Sequence, residues 1–226
     1  MQPLLCPSIL NLPDDCLKKE LKALDMAGVD IFHLDIIDGH YAENFGLSVH
    51  EIDLVRKCTS RPLDLHMMIE RPGRYIDFFA EHGIDIFYIH PKTERIPGAV
   101  LKHIRDIGKK CGIAINPDES LEAYVELLRC VDYVLVMTVH PGFAGQSFLP
   151  FVEPKIEKLL ALRKREDLPF QIVIDGGVEW DIMERLYGSG VDGFVLGKQT
   201  LLFQKEDYQT IVNRVREQYQ KIEKTK

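Results

Sequence analysis

The sequence predicts an α/β protein of the (β/α)8 barrel type, and three observations predict it. Strand-like and helix-like stretches alternate along the chain, eight times over. One turn recurs inside that alternation: Ala27-Gly28-Val29-Asp30-Ile31-Phe32 returns as His82-Gly83-Ile84-Asp85-Ile86-Phe87 and as Ser189-Gly190-Val191-Asp192-Gly193-Phe194, with a weaker copy at Cys130-Val131-Asp132-Tyr133. At 226 residues the chain also has a length suited to one such barrel, for which about 250 is typical. An open doubly wound sheet is the runner-up. It fits less well, because the repeated turn enters every even-numbered strand, as equivalent positions round a ring would require.

Each element has its own signature. Leu4 to Ile9 is a short apolar run ended by Leu10-Asn11-Leu12-Pro13. From Asp14 a helix is expected, with Leu17, Leu21, Leu24 and Met26 at helical spacing and Gly28 closing it. The apolar run from Val29 to Asp38 stops at Gly39 and reads as the second strand. Ser48 to Cys58 is helical through Val49, Ile52 and Val55, and Pro62 to His66 is the third strand. Arg71 to Gly83 places Tyr75, Phe78 and Phe79 on one helical face ahead of a strand from Ile84 to His90. Ala99 to Lys109 is helix, Gly112 to Ile115 strand, Leu121 to Leu128 helix and Tyr133 to Met137 strand. Pro154 to Arg165 is helix on Ile156, Leu159, Leu160 and Leu162, followed by a strand from Phe170 to Ile174. A helix from Glu179 to Tyr187, a strand from Phe194 to Leu196 and a terminal helix from Tyr208 through Ile211, Val212, Val215 and Tyr219 to Ile222 complete the series. Residues 1–226 are expected to form a single domain.

Composition narrows the function. Hydrophobic content of 46% and charged content of 28% describe a soluble globular protein, with no run near the ~20 apolar residues of a membrane span. No basic region precedes an apolar one at the N-terminus, so no signal peptide is expected and the cytoplasm is the expected location. The five cysteines form no C-x-x-C pair and are odd in number, which fits reduced thiols. A net charge of −7 without a basic block argues against nucleic acid and anionic membranes as partners.

The second strand carries the first chemical signal. Side chains alternate along a strand, so His33 and Asp35 share a side with Ile31. An imidazole and a carboxylate on the interior of an apolar strand call for a salt bridge, a metal or catalysis. The repeat sets a register: five residues past each repeated aspartate lie Asp35, His90, Met137 and Gly197, at one height. In a parallel barrel that height is the C-terminal rim, where active sites form. The odd strands reach it at Ser8, His66, Asn116 and Asp175. His33, Asp35, His66 and Asp175 then make a two-histidine, two-carboxylate set suited to zinc, iron, manganese or cobalt. The methionines Met67, Met68 and Met137 read as interior filling.

Glycine-rich turns supply a second constellation. Pro141-Gly142-Phe143-Ala144-Gly145-Gln146, Asp175-Gly176-Gly177 and Gly197-Lys198 follow strands six, seven and eight. Bare backbone amides facing helix starts make an anion cradle, and barrels often hold phosphate at the last loops. Plain turn chemistry explains one such glycine turn, but three side by side favour phosphate. Gly188-Ser189-Gly190-Val191-Asp192-Gly193 matches G-x-G-x-x-G but leads from helix to strand, the reverse of a dinucleotide site.

Pro7-Ser8-Ile9-Leu10, the run from His33 to His40, Asp64-Leu65-His66-Met67-Met68, the run from Val136 to Gln146 and Asp175-Gly176-Gly177 together resemble the signatures of ribulose-phosphate 3-epimerases, over Pro7 to about Phe203. The resemblance implies a TIM barrel of the ribulose-phosphate-binding type that inverts C3 of a ketose phosphate with one divalent metal ion (Zn, Fe, Mn or Co). It implies that His33, Asp35, His66 and Asp175 bind the metal and that Asp35 and Asp175 double as the acid/base pair. It further implies that Ser8 and His66 touch the sugar, while Gly142, Phe143, Ala144, Gly145, Gly176, Gly177 and Gly197 hold the phosphate. Lys198 stands at the same phosphate turn, where the family has a small Ser or Thr. Other departures are Ile37, Ala42-Glu43-Asn44 and His140. The expected partner is a small ketose phosphate, ribulose 5-phosphate ahead of allulose 6-phosphate, with a homo-oligomer left open. His90-Pro91 and Phe143-Ala144-Gly145-Gln146 look like the allulose-phosphate branch. A sister decarboxylase or Schiff-base aldolase would need a lysine near the base, and Asp35-Ile36-Ile37-Asp38 has none; Lys92 and Lys198 sit on other strands. A non-catalytic sugar-phosphate binder is the remaining alternative.

Overall fold

The computed structural model describes residues 2–13 and 15–224. Eight parallel strands, β1 (Leu4–Pro7), β2 (Phe32–Ile37), β3 (Leu63–Met68), β4 (Ile86–Ile89), β5 (Lys110–Ile115), β6 (Tyr133–Met137), β7 (Gln171–Asp175) and β8 (Gly193–Leu196), form one sheet. Each strand from β2 to β8 pairs with the next, and β8 pairs with β1. The ring closes between β1 and β2 by a thinner seam. There the Asp30 amide donates to the Leu5 carbonyl at 3.0 Å, and Ser8 bridges His33. Helices α1 (Leu17–Ala27), α2 (Val49–Cys58), α3 (Ile76–Glu81), α4 (Pro97–Asp106), α5 (Val125–Leu128), α6 (Glu153–Glu166), α7 (Trp180–Ser189) and α8 (Tyr208–Lys224) alternate with the strands. The barrel and the helix-strand alternation are thus as expected.

The repeated turn has a physical explanation. Gly28, Gly83 and Gly190 close their helices at φ of +85°, +85° and +113°, a region open to glycine at little cost. The aspartate two residues on then turns its carboxylate to an amide at the start of the preceding odd strand. Asp30 accepts from Leu5 N at 2.8 Å, Asp85 from Leu63 N at 3.0 Å, Asp132 from Cys111 N at 3.1 Å and Asp192 from Ile172 N at 2.7 Å. A cation backs each one: Arg216, Arg56, Lys110 and Arg163 respectively. Four similar clamps therefore close the end of the barrel at which the strands begin.

Two apolar layers result from strand alternation. Outward residues such as Phe32, Leu34, Leu65, Phe87 and Ile174 pack against the helices, while Cys6, Ile31, Ile86, Tyr88, Ala114, Leu135, Met137, Val173 and Val195 fill the interior. Met67 belongs to the outer layer, so of the three methionines only Met68 and Met137 line the cavity at the rim. Met26 is 81% exposed, because nine residues after Leu17 it lies half a turn from the buried stripe. Residues Pro72–Arg74 form a 3-10 turn that rotates the following helix, so Ile76 and Phe79 are buried and Tyr75 and Phe78 are exposed. Leu121 to Leu128 is a 3-10 turn followed by one turn of α-helix. The expected helix start at Asp14 and the side chain of Ile222 lie outside the described residues. All five cysteines are unpaired. Among the described residues no helix is long and apolar enough to cross a membrane.

Candidate metal centre and active site

The inward positions at the ends of β2, β3 and β7 bring His33, Asp35, His66 and Asp175 together. Nε2 of His33 and Nδ1 of His66 lie 3.2 and 3.0 Å from Oδ1 of Asp35, and 3.8 and 3.7 Å from Oδ2 of Asp175. One donor atom from each residue falls within 4.8 Å of every other. Bonds of ~2.0–2.2 Å to one ion require donors about 3.3 Å apart, so small side-chain adjustments suffice. Two imidazoles and two carboxylates can therefore hold a divalent metal ion.

Both histidines are fully buried, and each has its remote nitrogen turned to a polar group. Nδ1 of His33 lies 2.6 Å from Oδ1 of Asp64, itself fully buried. The two atoms are close but out of line, and neither Asp64 oxygen has an aligned hydrogen-bond partner. The contact is an ion pair in which ring rotation, and not distance, is what a hydrogen bond still needs. Burial opposes charge on His33, but Asp64 and Asp35 outweigh it and hold its pKa well above the usual imidazole value. Nε2 of His66 meets Nε2 of His90 at 2.8 Å. Burial, then His66, then Lys92 hold His90 well below the usual value.

The two carboxyls are pushed apart. Burial would raise the pKa of Asp35, but the His33 and His66 rings outweigh it and keep this group far below its ordinary range. At Asp175 burial prevails over His33 and is reinforced by the charge on Asp35, so its pKa is raised. Two carboxyls with opposite shifts in one cavity suit a base and an acid. Ser8 donates to Oδ2 of Asp35 at 3.0 Å.

A cavity of about 190 Å³ opens above these groups, lined by Ser8, Asp35, His66, Met68, Met137 and Asp175 on one side and by Gly142 to Gln146, Gly176, Gly177, Gly197 and Lys198 on the other. Gln146 clasps the first glycine turn through donors to the His140 and Phe143 carbonyls, at 2.6 and 2.7 Å. A Cβ at Gly177 would sit 2.2 Å from the Phe148 amide nitrogen, so only glycine fits there. The turn at Gly142 to Gly145 does not sit on a helix start, since α6 begins at Glu153; Gly176-Gly177 leads to α7, and Gly197 opens a helical turn by accepting from the Leu201 and Leu202 amides.

Residues 4–201 match the ribulose-phosphate 3 epimerase family. The ribulose-phosphate 3-epimerase of Synechocystis sp. is 35% identical over 218 residues, covering 94% of this chain and 92% of its own. That of Bacillus subtilis is 32% identical, covering 94% and 97%. The chain belongs to the ribulose-phosphate 3-epimerase family. It is accordingly an enzyme of the isomerase class, and the family's substrates are small sugar phosphates. Among solved structures, KGPDC from Streptococcus mutans superimposes with a TM-score of 0.72 at 13% identity, over 98% of this chain and 99% of that one, which is a likeness of fold.

In this epimerase the loop after β2 crosses the barrel mouth to the loop after β6. Asn44 donates to the Gly142 carbonyl at 2.7 Å, and a Cβ on Gly142 would lie 2.6 Å from that of Ala42. Sequence reasoning gave this loop no part in the site. Nor did it assign Asp64, although Asp64 and His66 share the two-residue spacing that singled out His33 and Asp35. Tyr41 on the loop bonds both His90 and Asn116. Lys92 pairs with Glu119 at 2.8 Å and faces a separate polar pocket that Tyr41, Asn116 and His140 also line. Lys198 is exposed, its ammonium 5.5 Å from the centre of the Phe203 ring.

Proposed function

We propose that the enzyme inverts C3 of a ketose phosphate, converting D-ribulose 5-phosphate to D-xylulose 5-phosphate, with the 226-residue chain acting as one barrel unit. The observation that carries this reading is the pair Asp35 and Asp175, brought from strands three places apart round the ring to one metal-type cluster beneath the glycine turns. Inversion beside a carbonyl removes a proton from one face and returns one to the other, so two bases must flank the carbon. One of Asp35 and Asp175 takes the C3 proton and leaves an enediolate, and the other delivers a proton to the opposite face, the roles exchanging in the reverse direction. One divalent ion, zinc, iron, manganese or cobalt, held by His33, Asp35, His66 and Asp175, would stabilise the negative charge that develops on the substrate oxygens. Ser8 and His66 orient the sugar. The amides of Gly142, Phe143, Ala144, Gly145, Gly176, Gly177 and Gly197 receive the phosphate, with Lys198 adding a point charge at the edge.

A second reading, D-allulose 6-phosphate as substrate, is favoured by one feature. His140 and Pro141 line both the reaction cavity and the adjoining polar pocket of about 430 Å³, which gives an extra carbinol room and a partner. Coupled assays on both sugars decide between them, run in deuterium oxide so that label at C3 of the product reports exchange with solvent. We expect the larger kcat/KM with the pentulose. A preference above ~10-fold for the hexulose, about the value of one such contact, reverses the order. Turnover of neither sugar overturns the reading.

A further inference from the structure

A chain of buried polar groups runs from the metal-type cluster to the edge of the polar pocket. Asp35 Oδ1 lies 3.0 Å from His66 Nδ1, His66 Nε2 2.8 Å from His90 Nε2, His90 Nδ1 2.9 Å from the Tyr41 hydroxyl, and that hydroxyl 2.8 Å from Asn116 Nδ2. His66 and His90 are fully buried, and Asn116 is 3% exposed. Donor and acceptor inventory assigns the direction. A carboxylate only accepts, so His66 carries its proton on Nδ1 and its bare Nε2 accepts from His90. The bare Nδ1 of His90 then accepts from the Tyr41 hydroxyl, whose oxygen accepts from the amide of Asn116. Every group in the chain is used once, and with neutral rings this is the self-consistent arrangement.

A metal ion at the cluster needs the lone pair on the very nitrogen that carries the proton. We propose that Tyr41, His90 and Asn116 are positioning residues forming a reversible hydrogen-bond chain, which turns round as one unit when His66 passes from donor to metal ligand. In the reversed chain His66 Nε2 donates to His90 Nε2 and His90 Nδ1 donates to Tyr41. The Tyr41 hydroxyl then needs a new acceptor. Oδ1 of Asn116 is buried without a partner, and a half-turn of that amide presents it. The protons balance: His66 Nε2 takes the proton of His90 Nε2, His90 Nδ1 takes that of Tyr41, Tyr41 takes one from solvent in the polar pocket, and the Nδ1 proton of His66 leaves on the cluster side. Both rings stay neutral. The other ligand, His33, has the fixed carboxylate Asp64 behind it, so the two histidines are held by different means.

This inference rests on the metal reading above, and its test separates the two. Histidine-labelled enzyme is titrated with Zn(II), and the nitrogen tautomers are read by long-range 1H–15N correlation. We expect His33 to shift, His66 to pass from Nδ1–H to Nε2–H and His90 from Nε2–H to Nδ1–H. Tyr41→Phe, which keeps the ring but breaks the chain, should weaken Zn(II) binding by about 10-fold, at the low end of what outer partners of metal-bound histidines contribute. A shift at His33 with no tautomer change at His90 overturns the chain and leaves the metal site standing. No shift at His33 overturns both. Unchanged Zn(II) affinity in a folded Tyr41→Phe overturns the positioning role, and should that variant not fold, the wild-type titration decides alone.

Discussion

At the scale of single residues, the site rests on two carboxyls with opposite electrostatic surroundings. Asp35→Asn and Asp175→Asn should each lose at least ~10²-fold in kcat, the lower end for removing an acid or base. Both also belong to the metal-type set, so bound metal must be quantified in the same samples. Wild-type turnover in either variant with metal retained would refute the two-base account. Lys198→Ala should raise KM for the phosphorylated substrate several-fold, the value of one charge-assisted contact, while kcat changes little. An unchanged KM would mean that the ammonium stays over Phe203. His33, Asp35, His66 and Asp175 were legible in the sequence because strand parity and the repeat register are local properties. Tyr41 was not, because a loop crossing the mouth has no period that reveals where it lands. Asp64 had the right parity, but as an aspartate one step below the rim it gave no sign of which ring it would face.

Among elements, the repeated aspartate is the structural signature of the barrel, and its purpose lies at the end away from the chemistry. The sequence displays the repeat but hides the reason for it, since the amide each carboxylate caps belongs to the preceding odd strand, about 20 residues back in three of the four cases. Asp192→Ala would orphan the Ile172 amide and remove the carboxylate that pairs with Arg163, leaving that guanidinium only the Phe170 and Gly190 carbonyls. We expect a loss of about 1–3 kcal/mol in unfolding free energy, read by urea titration, with kcat unaltered. A change in kcat at full occupancy of the folded state would show that the clamp reaches the rim. Helix bounds were legible where caps are local, as at Ser48, whose capping box with Glu51 starts α2. They were not legible near Pro72, where a 3-10 turn rotates the helix face in a way that apolar spacing alone cannot show.

For the whole molecule, the metal-type cluster joins three strands, so occupancy should be felt as global stability. At a free zinc concentration 100 times Kd, binding contributes about 2.7 kcal/mol. For a chain of this size that is roughly 5–10 °C in Tm. Calorimetry with and without a chelator checks this, and coincident transitions would argue that the four side chains serve only each other. The eightfold alternation and the ring were readable from the sequence, whereas the uneven quality of the ring was not. Its thinnest join, between β1 and β2, is the one carrying the Ser8 bridge to His33 and the Ser8 bond to Asp35. The barrel can thus be pictured as a hoop whose clasp lies at the candidate active site. Breathing of the empty enzyme should begin there, with the amides of Asp30 and Ile31, which both donate to the Leu5 carbonyl, exchanging for deuterium sooner than those buried in the β5–β6 ladder. Each catalytic cycle that engages Ser8, His33 and Asp35 would then fasten the hoop, and each product release would loosen it.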